Sequence, residues 1–239
     1  MADLRRQCVA ELVGTALLAA TVVGSGIAAQ HLSPNDVGLE LLENALVTGA
    51  GLVAIILAIG PVSGAHLNPV VSLADAFFGG LPWRSVPGYI VAQVIGAIGG
   101  AILANVMSGT AAVSFATHVR TGGGLWLGEM VATIGLLLTI FGVVRSGRID
   151  VAPFAVGAYI TAAYWFTSST SFANPAVTIG RIFSDSFAGI APTSAPAFIL
   201  SQVSGGLLAV GLIRYLFPSI QRQAPEVVVP HIDNRPQPG

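Results

Sequence analysis

The chain has 239 residues, 54% of them hydrophobic and only 9% charged, with a net charge of −1 and a mean hydropathy of +0.79. Soluble domains carry about 25% charged residues, so this chain cannot clothe a water-facing surface, which excludes an ordinary soluble enzyme and a nucleic-acid binder. A single cysteine, Cys8, excludes a disulfide framework and a multi-thiolate metal site; the four histidines, His31, His66, His118 and His231, are scattered without ligand spacing, and no cofactor is expected.

A membrane-spanning helix needs about 20 mostly apolar residues. Six segments qualify: 9–29, 42–60, 86–107, 124–144, 152–168 and 195–217. The first follows Arg5 and Arg6 and ends in GIAA, as a signal peptide does, but Glu11 enters the run early and the run is long for a signal. Between the second and third spans, Asn68 to Phe78 is apolar yet too short to cross. Asn174 to Phe183 repeats that pattern between the fifth and sixth. Asn is a strong N-cap and Pro suits the first helical position, so each Asn-Pro predicts a short helix starting there. Such a helix spans about 16 Å, roughly half of a ~30 Å bilayer core. Taken alone, either one also reads as a surface loop helix.

The ten cations are all Arg. Eight lie at one set of span ends (Arg5, Arg6, Arg84, Arg145, Arg148, Arg214, Arg222, Arg235) and two at the other (Arg120, Arg181), which puts both termini in the cytoplasm. The segment from Pro218 carries five prolines in 22 residues and reads as a disordered tail over 218–239. That leaves 1–217 as a single transmembrane domain.

The domain repeats internally, with halves at about 5–107 and 124–217. AELVGTALL at 10–18 matches GEMVATIGL at 128–136, placing Glu11 opposite Glu129. LNPVVSLADAFF at 67–78 matches ANPAVTIGRIFS at 173–184. Three spans per half is an odd number, so the second half is inverted in the membrane. Short Pro-interrupted segments at matching places of inverted halves point to a transport site at the midplane. The N-termini of the two short helices would meet there, each with roughly half a positive charge. Each Asn oxygen can cap its own helix and leave its NH2 to a passing oxygen. The loops before them cannot face lipid at that depth and must be buried or line a water-filled path.

SGAHLNPVVSLADA and FANPAVTIGR resemble the two NPA boxes of the aquaporin, or major intrinsic protein, family. The resemblance covers about residues 5–217. It implies an all-α membrane fold of six transmembrane helices plus two half-helices, arranged as an inverted three-span repeat. It implies a pore at Asn68, Pro69, Val70, Asn174, Pro175 and Ala176. The loop backbone of Gly64, Ala65, His66, Leu67, Phe172 and Ala173 would line it. Glu11 and Glu129 fall on the family's buried glutamates that hold those loops. A carboxylate inside a span is also a candidate proton site.

Two departures from the family are visible. The first box reads Asn68-Pro69-Val70 instead of Asn-Pro-Ala. Three residues past the second Asn, where the family usually places Arg at its narrowest constriction, stands Val177; Arg181 lies one turn further. Counting by the family's spacing gives a selectivity filter of Thr48, Ala162, Ser171 and Val177. That set implies a wide, uncharged filter. Tyr164, Trp165 and Phe166 read as an interfacial aromatic anchor, as does Trp83, and Asp75 is given no role.

The resulting expectation is a passive channel for small neutral solutes: water, glycerol-like polyols and neutral metalloid hydroxides such as arsenous acid. It would lie among membrane lipid in a bacterial inner membrane, and the resemblance implies a homotetramer. Two other readings stay open: a proton-coupled carrier using Glu11 or Glu129, and a non-conducting structural protein of the membrane.

Overall fold

A computed structural model describes residues 4–218. The tail expected over 218–239, with His231, Arg222 and Arg235, lies outside the described residues from 219 onward. Eight α-helices follow in order among the described residues: α1 Leu4–Leu32, α2 Val37–Ser63, α3 Pro69–Phe78, α4 Val86–Met107, α5 Gly123–Arg145, α6 Ala152–Phe166, α7 Pro175–Gly180 and α8 Ala195–Leu216. Six helical stretches are long and apolar enough to cross a membrane, α6 counting as one together with the 3₁₀ turn Ile149–Val151 before it, and no strand occurs among the described residues. This is an integral membrane protein.

The helix boundaries follow from local chemistry. Asp36 caps α2 by accepting from the Leu39 N–H at 2.9 Å. Pro stands in the first turn of α4, α6 and α8, where its missing N–H costs nothing. The half-helix expected over Asn174 to Phe183 is α-helical for only six residues, then tightens to a 3₁₀ turn over Arg181–Phe183. Its last carbonyls are taken from outside: Ile190, Ala116 and Ser114 donate to Arg181, Ile182 and Phe183.

The halves pair alike. α1 packs on α2 and α4, and its repeat mate α5 packs on α6 and α8. The half-helices bridge the two halves, α3 and α7 each touching both α4 and α8. Lipid tails are as apolar as the helices, so close approach by small residues must supply the attraction. A Cβ at Gly96 or Gly100 of α4 would collide with the Leu12 and Ala16 carbonyls of α1. Gly49 and Gly157, on α2 and α6, abut each other in the same way across the repeat. Large apolar side chains such as Leu17, Val91, Leu103 and Leu207 point outward to lipid.

Gly100→Leu should therefore destabilise the bundle by about 3 kcal/mol or more, since backbone and not a movable side chain blocks the space. Gly99, one residue away, has nothing within 4 Å of its Cβ position, so Gly99→Leu should be tolerated. Thermal unfolding of the two purified variants in detergent checks the contrast; equal midpoints would refute it.

Candidate functional site: a pore between two half-helices

Each half-helix is launched by a strained loop. Gly64, Ala65 and Leu67 have positive φ (84°, 47° and 52°), and so do Thr170, Ser171 and Ala173 (61°, 49° and 48°). These are the same positions in the two repeats. Left-handed backbone costs an L-residue roughly 1–2 kcal/mol, so something must hold the loops.

The glutamates do this. Glu11 takes the N–H groups of His66 (2.9 Å) and Leu67 (2.7 Å), the Ser63 hydroxyl (2.6 Å) and the Gln93 amide (2.8 Å). Glu129 takes the N–H groups of Phe172 (2.8 Å) and Ala173 (2.9 Å) and the Gln202 amide (2.6 Å). Both glutamates are fully buried and neither lines the cavity. Their oxygens are occupied by loop and helix donors.

The asparagines sit where the loops end. Asn68 Oδ1 caps α3 at Val70 N–H (3.0 Å), and Asn174 Oδ1 caps α7 at Ala176 and Val177 (3.0 and 3.2 Å). Each amide also reaches across the pseudo-twofold axis. Asn68 Nδ2 donates to the Ala173 carbonyl and Asn174 Nδ2 to the Leu67 carbonyl, both at 2.7 Å. One N–H of each NH2 is thus bound to the protein and one has no protein partner among the described residues, whereas the sequence leaves the whole NH2 free.

Both asparagines line a cavity inside the bundle. Its wall is built from repeat-related pairs: Leu18 and Leu136, Val22 and Ile140, Leu52 and Ile160, Val71 and Val177. Ala65, His66, Leu67, Ser171 and Phe172 supply the loop side. Gly64 and Ala173 are in the loops but off the cavity surface. Pro69, Val70, Pro175 and Ala176 are buried in the half-helices behind it. The extra methyls of Val70 have a matching space, because a Cβ at Gly206 of α8 would lie 2.5 Å from Val70 Cγ1.

The filter set needs two corrections. Thr48, Ser171 and Val177 line the cavity, whereas Ala162 is exposed on the outside of α6. Tyr164 takes the inner place, its hydroxyl 3.2 Å from the Thr48 hydroxyl. It is 2% exposed and is no interfacial anchor. Helical spacing carries the missed signal: Val156, Ile160 and Tyr164, four apart, form one stripe on the cavity, as Thr48, Leu52 and Ile56 do on α2. Residue 162 falls off that face. Second, the wall is not uncharged, because Arg181 lines the cavity as well. Ser171 Oγ is buried there without a hydrogen-bond partner.

Around this end, the connection between α4 and α5 folds inward. Arg120 donates from Nε to the Gly189 carbonyl (2.9 Å) and from Nη2 to that of Phe187 (3.0 Å), and burial pushes its pKa down to about 10. The nearby His118 is lowered by burial and by the charges of Arg120 and Arg181. At the far end of the cavity, His66 Nε2 lies 3.3 Å from Asp75 Oδ2.

Comparison with known proteins agrees with this architecture. Residues 1–172 match the family described as MIP, Major intrinsic protein. The chain is 47% identical to "Aquaglyceroporin AqpS" of Rhizobium meliloti (strain 1021) over 94% of this chain and 97% of that one. It is 31% identical to "Aquaporin AqpM" of Methanothermobacter marburgensis, over 90% and 99% of the two chains. The "X-ray structure of the aquaglyceroporin from Plasmodium falciparum" superposes with a TM-score of 0.71 and 22% identity, over 92% and 100% of the chains, and so shares the fold. The chain belongs to the major intrinsic protein family, whose members are membrane channels and not enzymes.

Proposed function

We propose that the protein conducts water and small neutral polyols such as glycerol passively, and that neutral metalloid hydroxides such as arsenous acid, a triol of similar shape, share the path. The observation that carries this reading is the mixed wall of the cavity. Leu18, Val22, Leu52, Leu136, Ile140 and Ile160 make most of it apolar. Thr48, Tyr164, Ser171, Asn68 and Asn174 offer hydroxyls and amides at intervals along it. A polyol likewise combines a carbon skeleton with hydroxyls. The family's four relevant positions supply the pore assignment, with Tyr164 in place of Ala162.

Glu11 and Glu129 lie off the cavity with their oxygens engaged, which favours a channel over a proton-coupled carrier. The charge bias of the loops supports cytoplasmic termini, and the bacterial relative supports a plasma membrane. The family supports a homotetramer.

Stopped-flow light scattering on proteoliposomes, comparing water, glycerol, urea and arsenous acid, tests the reading. Glycerol flux well above empty vesicles and never exceeding equilibrium is expected; flux equal to empty vesicles, or accumulation against a gradient, overturns it. In the same vesicles Val177→Arg should lower the glycerol-to-water permeability ratio by about tenfold, because a planar five-donor group would project from α7 into the cavity. An unchanged ratio would mean that Val177 does not border the narrowest point.

A further inference from the structure

We infer that Arg181 is a specificity-determining residue of the pore: it supplies, one helical turn beyond Val177, a fixed positive charge that excludes cations. The inference rests on the channel reading above. Arg181 is 2% exposed and lines the cavity beside Val177 and Tyr164.

Its surroundings hold the guanidinium without neutralising it. Cζ stands 3.3 Å from the centre of the Phe172 ring, and Arg120 approaches the same ring at 5.2 Å. Nε donates to the Ala188 carbonyl. Among the described residues its Nη amines make no hydrogen bond and no carboxylate lies within ion-pair distance of it. The repeat-related acid, Asp75, does have a partner, His66. A buried arginine kept for structure is expected to have a carboxylate or a full set of carbonyls. Arg120 approaches the second condition, with its Nε and Nη2 on two carbonyls. Arg181 meets neither.

The internal repeat sharpens the point. The residue equivalent to Arg181 is Asp75, and the residue equivalent to Phe172 is His66. Each half-helix therefore carries a charged side chain seven residues past its Asn, resting on the ring two residues before that Asn. At the Asp75 end, the ring is an imidazole that can match the charge. At the Arg181 end, the ring is a phenyl, which orients a cation through its face but leaves the charge in place. Arg also stays protonated throughout the ordinary pH range. The two half-helix N-termini repel cations at the midplane; Arg181 adds a second barrier at the Val177 end, where the bare valine offers none.

The experiment uses full-length protein in proteoliposomes and reads two quantities in parallel: glycerol permeability and the leak of K⁺ and H⁺ under an imposed potential. Arg181→Gln should raise the ratio of cation leak to glycerol permeability in the same vesicles by about tenfold or more. Arg181→Lys should be as tight as the natural protein at pH 7 and leak once high pH neutralises its ammonium, while the natural protein stays tight. If Arg181→Gln does not insert, the Lys variant alone decides. A merely structural arginine predicts loss of glycerol flux or of yield with no selective leak, and that result overturns the inference. So does a Gln variant with normal glycerol flux and no leak, or a Lys variant that is equally leaky at both pH values. A natural protein with no glycerol flux overturns the channel reading and this inference together, so the two failures are told apart by the natural protein's own flux.

Discussion

Glu129→Leu is expected to leave no folded channel. The carboxylate receives the Phe172 and Ala173 N–H groups and the Gln202 amide. Leucine would strand all three in a dry interior, at about 1–3 kcal/mol each. It would also release a loop in which Thr170, Ser171 and Ala173 hold left-handed backbone. That sum is comparable to the whole stability of a typical domain, about 5–15 kcal/mol. Glu129→Gln falls between. Its oxygen keeps one donor, but its NH2 then faces another donor, so reduced and not normal yield is expected. Size-exclusion chromatography of detergent-extracted protein, with glycerol flux per folded protomer, ranks the three. A leucine variant with the flux of the natural protein would disprove the strut role of Glu129.

Asn174→Asp should fold and yet lose most of its conduction. Aspartate is as good an N-cap as asparagine, so the bonds to Ala176 and Val177 survive. The amine that donates to the Leu67 carbonyl is replaced by an oxygen, which repels that carbonyl. The solute loses its donor at the same place and meets a charge in a poorly solvated channel. A fall in glycerol permeability of about tenfold or more is expected, with a lowered thermal midpoint because the Leu67 carbonyl loses its donor. Asn68→Asp should behave alike through Ala173. Unchanged flux in both variants would remove the asparagines from the conduction path.

Much of this could be read from residue order. The six apolar runs, the two Asn-Pro starts and the paired glutamates each carry a local signal: length, cap chemistry and an acid where none is affordable without partners. The sequence could not show where a side chain sits around a helix of unknown phase relative to its neighbours. The family spacing counted back from Asn174 leads to Ala162, but helical phase turns that residue outward and brings Tyr164 to the cavity. By spacing Arg181 lies one helical turn beyond the expected constriction. It reaches the cavity because α7 tightens at Arg181–Phe183 and because Phe172 offers it a platform. The space for Val70 was invisible as well, since it depends on Gly206, more than a hundred residues away.

The crossed bonds from Asn68 to Ala173 and from Asn174 to Leu67 have a mechanical meaning. They stitch the two repeats together at the one level where a rocking transporter must let its halves part. Moving either half against the other would break both stitches at once and expose four polar groups with no water at hand to receive them. The seam therefore acts as a rivet and not as a hinge. Solutes must thread past a stationary midpoint, and translocation needs no cycle of inward and outward shapes.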